Sequence, residues 1–345
     1  VGVGAWNYPV EIACWKSAPA LACGNAMIFK PSELTPLTAL RIAELYSEAG
    51  VPDGVFNVVY GNASTGSLLC EHTAVSKLSL TGSFATGKKI MASAANTLKP
   101  ITLELGGKSP LVIFEDADID NAVKASMMAN FFCMGEVCSN GTRVFVHNRI
   151  KDHFLQKLID RTQRISVGDP MDEQIQFGAL ISQTHLEKVQ GYVSRAKSKG
   201  LNPIYDASTV QGLPDSLKKG NYFGPVIFDD VPSDAEIWTE EIFGPVMCIQ
   251  GFDNENEVVT KANDTIFGLA AGVFTKDIMR AHRVAGQLDA GTCWINEYNV
   301  VPMGFAFGGR KESGFGKENG LEAVHYYSQL KSIYVSTADV WCPYD

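Results

Sequence analysis

No apolar run in this 345-residue chain approaches the length of a bilayer span, so nothing in it is expected to cross a membrane. Positive charge is in deficit. Lys and Arg number 29 against 38 Asp and Glu, a net charge of −9 with a pI near 5.2, which argues against nucleic acid and anionic membrane surfaces as partners. The eight cysteines (Cys14, Cys23, Cys70, Cys133, Cys138, Cys248, Cys293, Cys342) form no Cys-x-x-Cys pair and none stands at metal-ligand spacing with the six histidines. A disulfide scaffold and a metal site are therefore not expected; reduced thiols in a cytoplasmic setting are. Gly-x-Gly-x-x-Gly is absent, and with it the standard dinucleotide fingerprint. No internal repeat or low-complexity tract is visible. No Met or cationic leader precedes Val1-Gly2-Val3-Gly4-Ala5-Trp6, and the chain reads as the middle of a longer protein.

What is present is ordinary globular composition, 46% hydrophobic and 19% charged, with chain enough for two cores. The first hundred residues alternate β-rich runs with helix-like stretches. Asn25–Lys30 reads as a strand ending at Pro31. Thr35-Pro36 opens an amphipathic helix, with Thr35 as its expected N-cap, that Gly50 terminates. Strands are expected at Val55–Tyr60 and Val75–Leu80, the second followed by the Gly82 loop and a helix to about Asn96. This rhythm predicts an α/β fold, a parallel sheet covered by helices on both faces. It restarts after Leu103, with strands at Leu111–Phe114 and Arg143–Val146 and helices at Asp118–Phe132 and Ile150–Ile165. The expected division is a Rossmann-like dinucleotide-binding part over 1–103, a catalytic part over 104–290 and a C-terminal return over 291–345. The polar, Gly/Pro-rich stretch 202–224 reads as a surface excursion, and from about Phe252 the chain is expected to return toward the first domain or an interface.

Chemistry concentrates at two short stretches. Cys138 sits in Gly135-Glu136-Val137-Cys138-Ser139-Asn140-Gly141, and Glu104 lies 34 residues earlier (138 − 104) in Leu103-Glu104-Leu105-Gly106-Gly107-Lys108. A small thiol in a Gly-flanked turn and a carboxylate in a Gly-Gly turn are the parts covalent catalysis on a carbonyl needs: the thiol attacks, and the carboxylate takes protons from the thiol or a hydrolytic water. A carboxylate at Glu136 pointing toward that thiol would disfavour the thiolate.

Gly82-Ser83-Phe84-Ala85-Thr86-Gly87-Lys88-Lys89 nearly matches the phosphate-cradling Gly-x4-Gly-Lys-Ser/Thr loop. Lys89 stands where the Mg²⁺-binding hydroxyl belongs, so a nucleoside-triphosphate reading loses its metal. A helix N-terminus able to face phosphate survives. Lys30-Pro31-Ser32-Glu33 ends a strand, where parallel sheets bind ligands, and a Lys with a Glu can hold ribose hydroxyls and a neighbouring phosphate. In Trp6-Asn7-Tyr8-Pro9, the Asn amide can donate to a developing oxyanion or cap the next helix; local sequence leaves both open.

Taken in order, Trp6-Asn7, Lys30–Glu33, Gly82-x4-Gly87, Leu103–Pro110, Gly135–Arg143, Glu240-Glu241-Ile242-Phe243-Gly244-Pro245, Phe307-Gly308-Gly309 and Ser313-Gly314 make the chain resemble the aldehyde dehydrogenase superfamily along nearly its whole length. Ala18–Asn25, Asn140–Val146 and Tyr326–Lys331 look like its trimethylaminobutyraldehyde/betaine aldehyde branch. About the first third of a typical member is absent. The resemblance implies oxidation of an aminoaldehyde or betaine-type aldehyde to the acid with NAD⁺ as cofactor. It makes Cys138 the nucleophile, Glu104 the base, and Asn7 with the Cys138 N–H the oxyanion hole. It implies cofactor contacts from Trp6, Lys30, Ser32, Glu33, Gly82, Ser83, Gly87, Leu105, Glu241 and Phe243. Tyr8 and Trp15 correspond to aromatic positions around the substrate's quaternary ammonium, a match to the attraction of aromatic faces for a desolvated cation, with buried core aromatics the equal alternative; Trp294 and Tyr298 are similar candidates, and Glu297 is a further one. It also implies a homo-oligomer, a tetramer in the family, for which Ser332–Ser336 is an expected interface strand. Two other readings follow from the same residues: a truncated non-catalytic paralogue that binds dinucleotide or acts as a subunit, and a P-loop nucleotidase, which Lys89 weakens.

Overall fold

Two parallel sheets, joined by the Gly106-Gly107 turn, organise the chain in the computed structural model, which describes residues 1–344. The first part runs β1 (Gly2–Val3), α1 (Pro9–Ala22), β2 (Met27–Lys30), α2 (Leu37–Glu48), β3 (Phe56–Val58), α3 (Ala63–Glu71), β4 (Leu78–Thr81), α4 (Phe84–Ala95) and β5 (Ile101–Glu104). The second begins β6 (Pro110–Ile113), α5 (Ile119–Phe131), β7 (Arg143–His147), α6 (Lys151–Thr162), α7 (Gln183–Ser198), β8 (Tyr205–Asp206), β9 (Val226–Phe228) and α8 (Glu236–Thr239). It continues β10 (Val246–Phe252), α9 (Glu255–Asn263), β11 (Phe267–Gly268), β12 (Ala270–Phe274), α10 (Ile278–Gln287), β13 (Thr292–Ile295), β14 (Arg310–Lys311) and β15 (Gly314–Phe315).

The first sheet has the order β15-β5-β4-β1-β2-β3, with only β15 antiparallel. Short β1 lies between β2 and β4, Gly2 opposite both Phe29 and Ser79. The packing at Gly2 is close: a Cβ there would sit 2.3 Å from the tip of the Met27 side chain and 3.1 Å from the Phe29 ring. The chain progresses outward from β1 through β2 to β3 on one side, and through β4 to β5 on the other. Such a reversal of strand order leaves a crevice at the carboxyl ends, the usual ligand position in open α/β sheets. Val3, Lys30, Thr81 and Glu104 are those ends, and all four line one cavity.

The second sheet has the order β13-β12-β6-β7-β10-β9-β8, parallel except at β8–β9. Its central strands β6, β7 and β10 are almost wholly buried, as Val/Ile/Leu/Phe-rich strands covered on both faces must be. One face packs on α5 and α6 through Ala122, Phe154 and Leu158. The other packs on α7, α9 and α10 through Leu186, Val189, Val258 and Val284.

Four expectations need correction. Thr35 does not cap α2: the helix starts after Pro36 without a side-chain cap. The stretch 202–224 is not wholly an excursion, because Tyr205–Asp206 pairs with β9 as an edge strand. The chain after Phe252 does not return to the first sheet at once; β12 and β13 extend the second, and only Gly314–Phe315 crosses back to pair with β5. Ser332–Ser336 is exposed and forms no strand within the single chain, with Tyr334 at 92%; a strand there needs an edge to pair with.

Candidate active site

The turn that carries Cys138 is built by a break in the chain just after α5. Cys133 and Met134 take left-handed backbone (φ +47° and +54°), and Gly135 (φ +76°) follows. A side chain on Gly135 would meet the Gly244 backbone at 2.3 Å, so the turn lies directly on the Glu240–Pro245 loop. Polar groups fix what comes next. Asn140 Nδ2 donates to the Gly135 carbonyl (3.2 Å), Ser139 Oγ to Asn299 Oδ1 (2.8 Å) and the Tyr298 hydroxyl to the Ser139 carbonyl (2.9 Å). Cys138 lines the cavity. Burial first, then the charges of Glu104 and Glu241, push its thiol up to about 12, against the N–H groups of Cys138 and Ser139 directed at the sulfur. At neutral pH the free site holds a thiol, and making a thiolate requires a base.

Glu104, the carboxylate expected to act as base, lines the same cavity. It ends β5 between Thr81 and Gly314 and is only 4% exposed. Its Oε1 has no hydrogen-bond partner, an expensive state for a buried acceptor. Burial and then the charge of Glu318 raise its carboxyl well above the usual range, with Lys16 and Lys317 opposing. Lys16 and Glu318 are themselves a fully buried ion pair (2.7 Å), joined by Ser79.

Asn7 does not cap α1: the N-cap residue is Tyr8, without a side-chain bond. Its Nδ2 donates to the Glu136 carbonyl (2.9 Å), which fixes the amide and leaves its second N–H. Tyr8 and Trp15 line the cavity, the Tyr8 hydroxyl 3.5 Å from the Cys133 sulfur and the Trp15 ring 5.4 Å from that of Phe307. Glu11, one turn into α1, lines it too, with its carboxyl raised by burial.

The Gly106-Gly107 turn makes two close approaches possible. A Cβ on Gly106 would lie 2.0 Å from a Glu241 oxygen, and one on Gly107 would lie 2.9 Å from the Cys138 carbonyl. Glu241 instead accepts from the Gly107 N–H at 3.1 Å; burial lifts its carboxyl to about 7 while that bond, Lys188 and Lys108 oppose. Phe243, left-handed at φ +63°, meets the Trp6 ring edge-on at 5.2 Å. Lys30 is buried, donates to the Pro31 carbonyl (3.0 Å) and stands 3.7 Å from the exposed Glu33 carboxylate. Ser32, Gly82 and Leu105 also line the cavity. Ser83 caps α4, its Oγ accepting from the Thr86 N–H, so the first turn of that helix faces the cavity. Gly87 is not on the wall; it lies beneath Leu105, whose side chain a Cβ would meet at 2.6 Å.

Trp294 and Tyr298 are not brought to the cavity, and the expectation that they surround substrate is corrected. Trp294 donates to the Val300 carbonyl (2.8 Å), and the two rings pack at 4.7 Å in the core. Tyr298 is 0% exposed, its ring filling the space over Gly141 and Gly272. Glu297 is exposed and binds the Tyr298 N–H (2.8 Å). Conversely, His185, Lys188 and Glu11 line the cavity without having been singled out. Only the cap at Ser182 hinted that His185 begins a helix.

The cavity has a volume of about 920 Å³ and contains Cys138, Glu104 and Asn7 together with the expected cofactor contacts other than Gly87. That size lies at the upper end of cofactor and ligand pockets. Among the described residues no helix is long and apolar enough to cross a membrane.

Comparison with known proteins places the sequence and the fold in one family. The model of the Aldehyde dehydrogenase family matches residues 1–333. A 4-trimethylaminobutyraldehyde dehydrogenase A of Danio rerio is 57% identical over 340 residues, covering 99% of this chain and 67% of that protein. A betaine aldehyde dehydrogenase of Sinorhizobium fredii is 54% identical over 345 residues, covering all of this chain and 70% of that protein. The crystal structure of betaine aldehyde dehydrogenase from Staphylococcus aureus in complex with NAD⁺ superposes with a TM-score of 0.91 at 41% identity, over 97% of this chain and 69% of that one. The chain thus spans about two thirds of the length of the relatives it matches. By sequence and by fold, it belongs to the aldehyde dehydrogenase family.

Proposed function

We propose that this chain carries the site of an NAD⁺-dependent dehydrogenase that oxidises aminoaldehydes or betaine-type aldehydes to carboxylic acids. One observation carries the reading: a thiol, an unpartnered buried carboxyl and a fixed amide open into one cavity at the switch point of a parallel sheet. Cys138 attacks the aldehyde carbon, forming a C–S bond as the carbonyl π pair moves to oxygen. Glu104, whose affinity for protons is raised by burial, takes the thiol proton. The second N–H of Asn7 and the Cys138 N–H stabilise the oxyanion. The hydride must leave, to NAD⁺ held in the cavity, to give the thioester, and Glu104, once it has passed the thiol proton to solvent, takes a proton from the water that hydrolyses that thioester, releasing the acid and the Cys138 sulfur.

The cavity fits a dinucleotide, with the first turn of α4 toward phosphate, Lys30, Ser32 and Glu33 toward a ribose, and Glu241, Phe243 and Trp6 toward the nicotinamide half. Bound there, NAD⁺ supplies a hydride acceptor. The Glu33 carboxylate would repel a 2′-phosphate, which favours NAD⁺ over NADP⁺. The rings of Tyr8 and Trp15 with the carboxyl of Glu11 suit a cationic substrate tail, in keeping with the names of the relatives. We assign dinucleotide binding to 1–103 and catalysis to 104–290, with β13 added to the second sheet, and the C-terminal return after it to oligomerisation as a tetramer. Eight unpaired thiols fit a cytoplasmic setting.

The test is NADH formation by the purified chain with NAD⁺ and a trimethylammonio- or aminoaldehyde, against Cys138→Ala. Turnover lost in the variant is expected. A folded chain that binds NAD⁺ without turnover would favour the non-catalytic paralogue.

A further inference from the structure

Glu136 stands two residues before the nucleophile, and the reaction above makes no use of its side chain. It does not face the thiol. Its Oε1 accepts from the Ile181 N–H (3.0 Å) and lies 3.6 Å from His185 Nε2, and the residue is only 5% exposed. The same Nε2 lies 2.7 Å from the Phe243 carbonyl. A carbonyl can only accept, so the neutral ring is held as its Nε2–H tautomer, with the Glu136 carboxyl beside that nitrogen. Trp6 closes the arrangement with its ring 5.3 Å from His185 and 5.2 Å from Phe243. Through its backbone carbonyl, Glu136 also receives the Asn7 amide (2.9 Å). One residue therefore touches the nucleophile turn, the oxyanion amide and, through His185, the left-handed backbone of Phe243 at the nicotinamide-side wall.

We propose that Glu136 and His185 form a pair of neighbouring charge-bearing positioning residues that holds the Phe243 wall and makes dinucleotide binding sensitive to pH near neutrality. The proposal rests on reading this cavity as the NAD⁺ site. Burial pushes the Glu136 carboxyl up to about 7, against the Ile181 N–H, and pushes His185 down, helped by Lys188 one turn along α7. The other groups facing the pair are the Cys133 thiol, raised by burial and partly by Glu136, and Glu241 beside Lys188. As pH falls through about 7, the Glu136 carboxyl takes up a proton. A protonated carboxyl withdraws the negative charge 3.6 Å from Nε2 that favours a proton on that nitrogen, and the Nε2–H bond to the Phe243 carbonyl weakens. Affinity for dinucleotide should then fall on the acid side.

The experiment is calorimetric titration with NAD⁺ from pH 6 to pH 8, together with NMR titration of the His185 ring, in the parent chain, Glu136→Gln and His185→Gln. In the first variant the new amide can still accept from the Ile181 N–H, and in the second it can still donate to the Phe243 carbonyl, but neither amide titrates. The parent should bind NAD⁺ several-fold more weakly at pH 6 than at pH 8, both variants should lose most of that slope, and the His185 titration should move in Glu136→Gln. Equal slopes in parent and variants would overturn the coupling, and an unmoved His185 titration would overturn the pair. If no form binds NAD⁺ at any pH, the reading of the cavity and the coupling fail together, while the His185 titration still decides whether the pair exists.

Discussion

Tyr298→Phe removes one oxygen atom and should separate a structural role from a substrate-binding one. The hydroxyl donates to the Ser139 carbonyl at 2.9 Å on a residue with no exposed surface. Its ring is fixed by glycines, since a Cβ on Gly141 or Gly272 would come within 2.9 Å or 2.7 Å of it. The variant keeps the ring and leaves a buried carbonyl unsatisfied, which costs about 1–3 kcal/mol. With an unfolding entropy of about 2 cal/mol/K per residue, the midpoint of a chain this size should drop by roughly 1–4 °C. The lost bond also holds the residue following Cys138, so kcat should fall while KM for aldehyde stays unchanged. Thermal unfolding followed by steady-state kinetics reads both. An unchanged midpoint with a raised KM would refute the reasoning and return Tyr298 to the substrate wall.

Three further outcomes follow from the same geometry. Alkylation of Cys138 in the free chain, mapped by peptide mass, should keep accelerating from neutral pH to about pH 10, because the thiol is pushed up to about 12; a plateau near pH 8 would contradict this. Gly106→Ala places a Cβ 2.0 Å from Glu241, so NAD⁺ affinity should fall at least about tenfold, and unaltered binding would remove Glu241 from the cofactor wall. Because the folded chain raises the Glu104 carboxyl, ionising it costs stability that grows as pH rises from about 4.5 through the folded value. Glu104→Gln should therefore melt higher than the parent at alkaline pH and match it near pH 4, while losing turnover; a variant no more stable at alkaline pH would contradict the buried-charge account.

The parts legible in the sequence were those written locally. Gly and Pro punctuation marked the α/β rhythm, and a Gly-flanked thiol and a Gly-Gly carboxylate announced chemistry that the structure brings into one cavity. Features depending on distant partners were not legible. Nothing near Thr292 shows that β13 lies beside β12 in the second sheet. Trp294 and Tyr298 read equally well as cavity wall or core until the Ser139 carbonyl and the two glycines claim the ring. Glu136 and His185 are 49 residues apart (185 − 136), and Lys16 meets Glu318 across 302 residues, so their pairing arises only from tertiary packing. The concern that Glu136 would face the thiol was settled in the same way, by an Ile181 N–H that no local pattern announces.

The measurement that tests the central claim most directly is the mass of the Cys138 peptide after acid quench of the chain mixed with aldehyde and NAD⁺. The account predicts an acyl adduct on Cys138, formed only when NAD⁺ is present and lost on further incubation as the thioester hydrolyses. NADH formation with Cys138 unmodified throughout, or an adduct on another thiol, would contradict it.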